Sequence, residues 1–135
     1  ECRDISARYS HAIASGNFAD LAEVFAPDGI LDVLGQQHRG PEAIAASLQQ
    51  SLPYADGERA RHVITNELIE VQDARRATGR AFFTLYRFNT ANGPRVPSLS
   101  PAALLTSQDE YVATQAGWRL ALRRIELAAA AAPAP

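Results

Sequence analysis

The stretch Arg61-His62-Val63-Ile64-Thr65-Asn66-Glu67-Leu68-Ile69-Glu70-Val71 decides how the chain is read. Its β-branched residues Val63, Ile64, Thr65, Ile69 and Val71 suit an extended, half-buried backbone, and a period of two puts His62, Ile64, Asn66 and Leu68 on one face. An imidazole and an amide then share an apolar wall. Two roles are open to His62. Its ordinary pKa of about 6.5 suits it to exchange a proton near neutrality. Equally, a buried ring at a strand end can simply hydrogen-bond a neighbour.

Upstream of this strand, Tyr54 to Arg59 is a polar loop containing Gly57. Before it, Gly40-Pro41-Glu42 opens a helix with the stripe Ile44, Ala45, Leu48 and Leu52, ended by Pro53. Further back, Pro27-Asp28-Gly29 turns the chain into a short strand, Ile30 to Leu34, in which Asp32 is the odd member. Asp32 is either a pocket acid or an exposed residue on a wet sheet face. From Asp4 to Ser15 the apolar residues Ile5, Tyr9, Ala12 and Ile13 recur at helical spacing until Gly16 stops them. Asn17 then caps a second short helix, with Asp20 near its positive end and Leu21, Val24 and Phe25 as its buried face.

Downstream, Asp73 to Arg76 is a charged turn and Ala77 to Asn89 a central strand. Phe82, Tyr86 and Phe88 share one of its sides; Ala81, Phe83, Leu85 and Arg87 share the other. Thr90 to Pro101 contains Asn92-Gly93-Pro94, Pro97 and Pro101, which reads as a long loop, either a lid or a hairpin end. Ala103 to Ala113 and Trp118 to Leu127 are the last strands, joined at Gln115-Ala116-Gly117. Ala128 to Pro135 is an alanine-proline run expected to be a solvated tail. Helices first and strands later give an α+β class, an antiparallel sheet packed against helices on one side.

The 135 residues make one domain, 1–127 plus the tail, long enough to bury a core without metal or disulfide. A formal charge of −2 gives no basic footprint, so neither nucleic acid nor a membrane surface is expected as a partner. The single cysteine, Cys2, excludes an intramolecular disulfide, and a reducing, cytoplasmic compartment is expected. No apolar run approaches the ~20 residues that span a bilayer. His11, His38 and His62 lack metal-ligand spacing, and there is no glycine-rich phosphate loop, so no metal or cofactor is expected.

The order of motifs resembles the SnoaL-like branch of the nuclear-transport-factor-2-like fold. The marks are Tyr9 in the first helix, Val24-Phe25-Ala26-Pro27-Asp28, Gly35 followed by Gly40-Pro41-Glu42-Ala43-Ile44, Arg61-His62 with Asn66 four residues on, and Gly117-Trp118-Arg119 leading to Arg123. They cover nearly the whole chain. The resemblance implies a cone-shaped curved antiparallel sheet packed against N-terminal helices, a cystatin-like α+β roll. It also implies pairing of two copies through the outer sheet face.

By the same resemblance, members act without cofactors as dehydratases, dehydrochlorinases, cyclases or isomerases on hydrophobic small molecules. In several of them the histidine matching His62 is the general base, oriented by an aspartate from the end of the first helix. Here that position is Ala14 and the nearby, often acidic one is Asn17; Arg80 to Phe88 adds no carboxylate. Asp32 reaching across the cone, or Tyr9 and Tyr86 as hydroxyl donors, are the substitutes available. The expected catalytic set is therefore His62, Asp32 and Tyr9, and the expected substrate contacts are Asn66, Tyr86, Phe25 and Leu34. Asp109, Glu110, Arg119 and Arg123 are expected at the sheet surface or a dimer contact. Two functions follow: a lyase, isomerase or cyclase acting on a hydrophobic oxygenated molecule through His62, or a binding or dimerisation domain that has lost the dyad at Ala14.

Overall fold

Helix α1, Cys2–Ser15, turns Ile5, Ser6, Tyr9, Ala12 and Ile13 inward at spacings of three and four, and Gly16 at φ 73° ends it with its N–H on the Ile13 carbonyl. The protein is described here by a computed structural model covering residues 1–51 and 57–132. The second short helix, Phe18–Glu23, is a 3₁₀ helix that buries Phe18 and Leu21, and Asn17, expected to cap it, makes no side-chain cap hydrogen bond but donates to Asp20 Oδ2 at 3.2 Å. Helix α2, Pro41–Ser51, buries Ile44 and Leu48. Leu52, Pro53 and Tyr54–Asp56, expected to finish this helix and open the next loop, lie outside the described residues. No helix among those described is long and apolar enough to cross a membrane.

Six strands form one sheet: β1 (Phe25–Val33), β2 (Gln36–Arg39), β3 (Glu58–Val71), β4 (Arg76–Asn89), β5 (Pro101–Thr114) and β6 (Gly117–Ala130), in the order β2-β1-β6-β5-β4-β3. The pairs are antiparallel, as expected, apart from β1 with β6, which runs parallel. The sheet is curved and unclosed, with helices on one face. Bulges between Thr65 and Leu68, Leu85 and Tyr86, Leu104 and Leu105, and Glu110 and Tyr111 supply local bends.

Three sequence expectations change. Pro27-Asp28-Gly29 lies inside β1 as an irregularity between Phe25 and Ile30, where a Cβ on Gly29 would meet the Leu120 carbonyl at 2.6 Å. Leu34 and Gly35, at φ 53° and 91°, then close a two-residue hairpin into the unanticipated β2, as a turn with two left-handed positions requires. Ala128–Ala130 is not tail but the end of β6, with Ala129 and Ala130 opposite Leu104 and Ala103. Pro133–Pro135 lie outside the described residues.

The register fixes one inner face: His62 lies opposite Leu85, Ile64 opposite Phe83, Phe83 opposite Leu105, Ser107 opposite Ile125, and Asp109 opposite Arg123. Against it pack Ile5, Tyr9, Ile13 and Leu21; burial of each such side chain contributes about 1.5–3 kcal/mol.

Candidate functional site

The inner sheet face and helices α1 and α2 bound a cavity of about 370 Å3. Alternation along the strands brings Leu31 and Val33 of β1, Leu85 and Arg87 of β4, Leu105 of β5, and Ile125 and Leu127 of β6 to its wall. Tyr9 of α1 and Ser47, Leu48 and Ser51 of α2 face the sheet across it. Leu34, Gln36 and His38 come from the hairpin. His62 lies in this wall and is 8% exposed.

The His62 ring is edge-on to two aromatic rings, Tyr9 at 6.3 Å and Phe83 at 6.2 Å between centroids. Its Nδ1 is buried without a hydrogen-bond partner. Burial in this apolar setting, reinforced by the positive charges of Arg123 and Arg87, depresses its pKa to about 4. The ring is therefore neutral at pH 7. Burial also pushes the Tyr9 hydroxyl up to about 12, with Arg123 pulling against it, so Tyr9 keeps its proton.

Asp32 does not take the part expected of it. Leu31 and Val33 face the cavity, so Asp32 between them faces away. Its Oδ1 accepts from the Gly35 N–H at 3.0 Å, its Oδ2 accepts from Gln37 Nε2 at 3.1 Å, and Arg124 Nε lies 3.6 Å away. The Gln37 hydrogen bond, then the Gly35 N–H and Arg124, hold its carboxyl below the ordinary aspartate pKa. Asp32 fastens the hairpin rather than orienting His62.

Asn66 is likewise corrected. It sits in the β3 bulge at φ 54°, is exposed, and lines a different, outward depression with Arg80 and Phe82. The bulge reverses the alternation, so Glu67 rather than Leu68 turns toward α1 and accepts a hydrogen bond from Ser6 Oγ. Tyr86 pairs with Arg61 on the face opposite to Leu85 and is absent from the cavity wall. Phe25, 1% exposed, is a core residue edge-on to Tyr9 at 6.2 Å, not a cavity contact. Of the expected site residues, the cavity brings together His62, Tyr9 and Leu34.

Deeper in the inner face lies a polar network that the sequence reading placed at the surface. Arg123 is fully buried and grips Asp109 with both ends of its fork, Nε to Oδ1 at 2.9 Å and Nη2 to Oδ2 at 3.0 Å. Its Nη2 also donates to Ser6 Oγ at 2.8 Å, while Nη1 has no partner. Ser107 donates to Asp109 Oδ2, and the Tyr111 hydroxyl lies 3.3 Å from Ser6 Oγ. The guanidinium carbon stands 4.7 Å from the Tyr9 ring centre and 5.1 Å from that of Phe83. Burial opposes the Arg123 charge, but Asp109 outweighs it and raises its pKa. Tyr9 and Phe83 thus touch His62 and Arg123 alike. Glu110 is exposed and Arg119 half-buried. The period-two run Ser107, Asp109, Tyr111 was the available signal that Asp109 faces inward.

Among the described residues no group of three His, Cys, Asp or Glu side chains is arranged to hold a metal ion. A curved sheet wrapped by N-terminal helices around a mostly apolar cavity is the architecture of the nuclear-transport-factor-2-like proteins. Within that class, the chain belongs to the SnoaL-like domain family, which matches residues 1–124. It is similar to a protein of unknown function from Mycobacterium tuberculosis, at 28% identity over 93% of this chain and 68% of that one, TM-score 0.76. An NTF2-like protein with a cystatin-like fold from Novosphingobium aromaticivorans is 26% identical over 93% and 79% of the two chains, TM-score 0.78. ActVI-ORFA from Streptomyces coelicolor shares the fold at 16% identity over 93% and 92%, TM-score 0.80. No curated protein matches the sequence.

Proposed function

We propose that the chain is a small-molecule-binding member of its family, whose cavity takes a hydrophobic, oxygenated molecule with His62 and Tyr9 as neutral hydrogen-bonding groups. The observation that carries this reading is the His62 ring itself, set in the wall of a mostly apolar cavity with no carboxylate bonded to it among the described residues. A general base works best with a pKa near the operating pH, and a ring held at about 4 has little affinity for a substrate proton at neutrality. It remains a competent hydrogen-bonding group for a ligand oxygen.

A second reading, a cofactor-independent lyase, isomerase or cyclase, is favoured by one observation. Tyr9, which keeps its proton, and His62 line the same cavity and together suit polarisation of one oxygen. A thermal-shift panel of hydrophobic ketones, esters and acids on the wild type, His62→Ala and Tyr9→Phe, with product analysis on every hit, separates the two. Binding without chemical change supports the first reading. Turnover that depends on His62 or Tyr9 replaces it with the second, and absence of any binding overturns both.

We also propose that two copies pair through the outer sheet face, where Phe82 at 55%, Leu68 at 58% and Leu104 at 46% exposure leave apolar surface uncovered. Sedimentation of the wild type as a dimer and of Phe82→Glu as a monomer is the expected result; a monomeric wild type refutes it.

A further inference from the structure

The described residues lining the cavity include no aspartate or glutamate, while Arg87 brings a guanidinium to the wall. We infer that the cavity selects amphipathic organic acids, the carboxylate pairing with Arg87 and the hydrocarbon body lying against Leu85, Leu105 and Ile125. This rests on the ligand-binding reading above and names the class of ligand.

Arg87 belongs to the inward row of β4, two residues beyond Leu85, and so stands beside the apolar wall rather than within it. Its Nη2 donates to the Ser51 carbonyl at 3.4 Å, which ties the guanidinium to the end of α2. Among the described residues its acidic neighbour is Glu58, 3.9 Å from Nη1, and the two side chains are 42% and 36% exposed. A contact that long and that wet is weak, so it leaves the charge available to a ligand. Glu58 itself is not part of the wall.

The planar fork of arginine matches a carboxylate with two parallel hydrogen bonds, and Gln36, Ser47 and Ser51 line the same cavity with further polar groups. Arg123, a second cation near the site, is already gripped by Asp109, which leaves Arg87, held by carboxylate only through its long contact with Glu58 among the described residues, as the cation available in the described wall. A volume of about 370 Å3 lies at the small end of ligand cavities and suits a compact acid rather than a large lipid.

The test uses decanoate and 4-phenylbutanoate with their methyl esters and matched primary alcohols, titrated calorimetrically into the full chain and into Arg87→Gln and Arg87→Lys. On the wild type the acids should bind about tenfold tighter than the esters, as expected for a hydrogen-bonded charge pair. Arg87→Gln should bring that ratio to about one while leaving ester affinity in place, and Arg87→Lys should retain part of it. Acids and esters that bind equally, or an acid preference that survives in Arg87→Gln, overturn the inference while the ligand-binding reading stands. Failure of acids, esters and alcohols alike to bind overturns both.

Discussion

A histidine buried as a neutral ring makes the fold sensitive to acid in a window set by two pKa values. In the unfolded chain His62 titrates near 6.5; in the native fold burial, with Arg123 and Arg87, holds it at about 4. Between these values the unfolded state binds a proton that the native state refuses. The stabilisation is therefore complete above the unfolded pKa, declines as the pH falls through 6.5, and is fully lost by the native value. At 1.36 kcal/mol per unit, the whole window is worth about 3 kcal/mol, of which about 2 kcal/mol is lost by about pH 5. The carboxylates also begin to titrate there, so the informative quantity is the difference from a variant that cannot take the proton. His62→Leu is suitable: leucine fills similar space between Tyr9 and Phe83 and removes the unpartnered Nδ1. Urea unfolding at several pH values between about 7.5 and 5 should show the wild type losing about 2 kcal/mol more than the variant. Parallel loss in the two proteins, or a native-state NMR titration of His62 with a midpoint near 6.5, would refute the argument that the ring is held neutral.

Two further outcomes are expected. Arg123→Met or Asp109→Leu alone should destabilise the fold by about 3–5 kcal/mol, because each leaves its partner charged and buried, whereas the double replacement should recover most of the loss in a chemical-denaturation cycle. Asn66→Val should cost about 1–3 kcal/mol in the same assay, since a β-branched residue is forced to φ 54°, while Asn66→Gly should cost little; equal losses would remove the backbone explanation.

The elements that were legible in the sequence are those in which pattern and local chemistry agree. The stripe Ile5, Tyr9, Ala12, Ile13 with its Gly16 stop, and the alternation Ala81, Phe83, Leu85, Arg87, each specify a face without reference to the rest of the chain. What was not legible depends on pairing. The bulge at Thr65 to Leu68 breaks the period of two inside an otherwise regular strand, so Asn66 was assigned to the wrong side. Asp32 was read as an acid facing a pocket because its partners, Gly35 and Gln37, come from a hairpin whose left-handed Leu34 is not a residue that announces a turn. Asp109 and Arg123 are fourteen residues apart in sequence and opposite one another in the sheet; as single charged residues they read as exposed, and only their register makes burial affordable.

That buried pair bears on what the cavity can do. In the proton-transfer pattern, the imidazole would need a neighbouring negative charge to raise its basicity and steady the imidazolium. Here the position expected to supply it is Ala14, and the nearest ionised network presents the opposite sign, with the Arg123 guanidinium against the same Tyr9 and Phe83 rings that flank His62. Asp109 is bonded to Arg123 through both oxygens and does not reach His62. Burial, Arg123 and Arg87 each lower the proton affinity of His62. The same arrangement does not impair hydrogen bonding to a ligand, and it makes an anion welcome where a cation would be repelled. Proton transfer and the proposed acid binding therefore place opposite demands on this wall, and a lining with Arg87 and no carboxylate among the described residues suits the second.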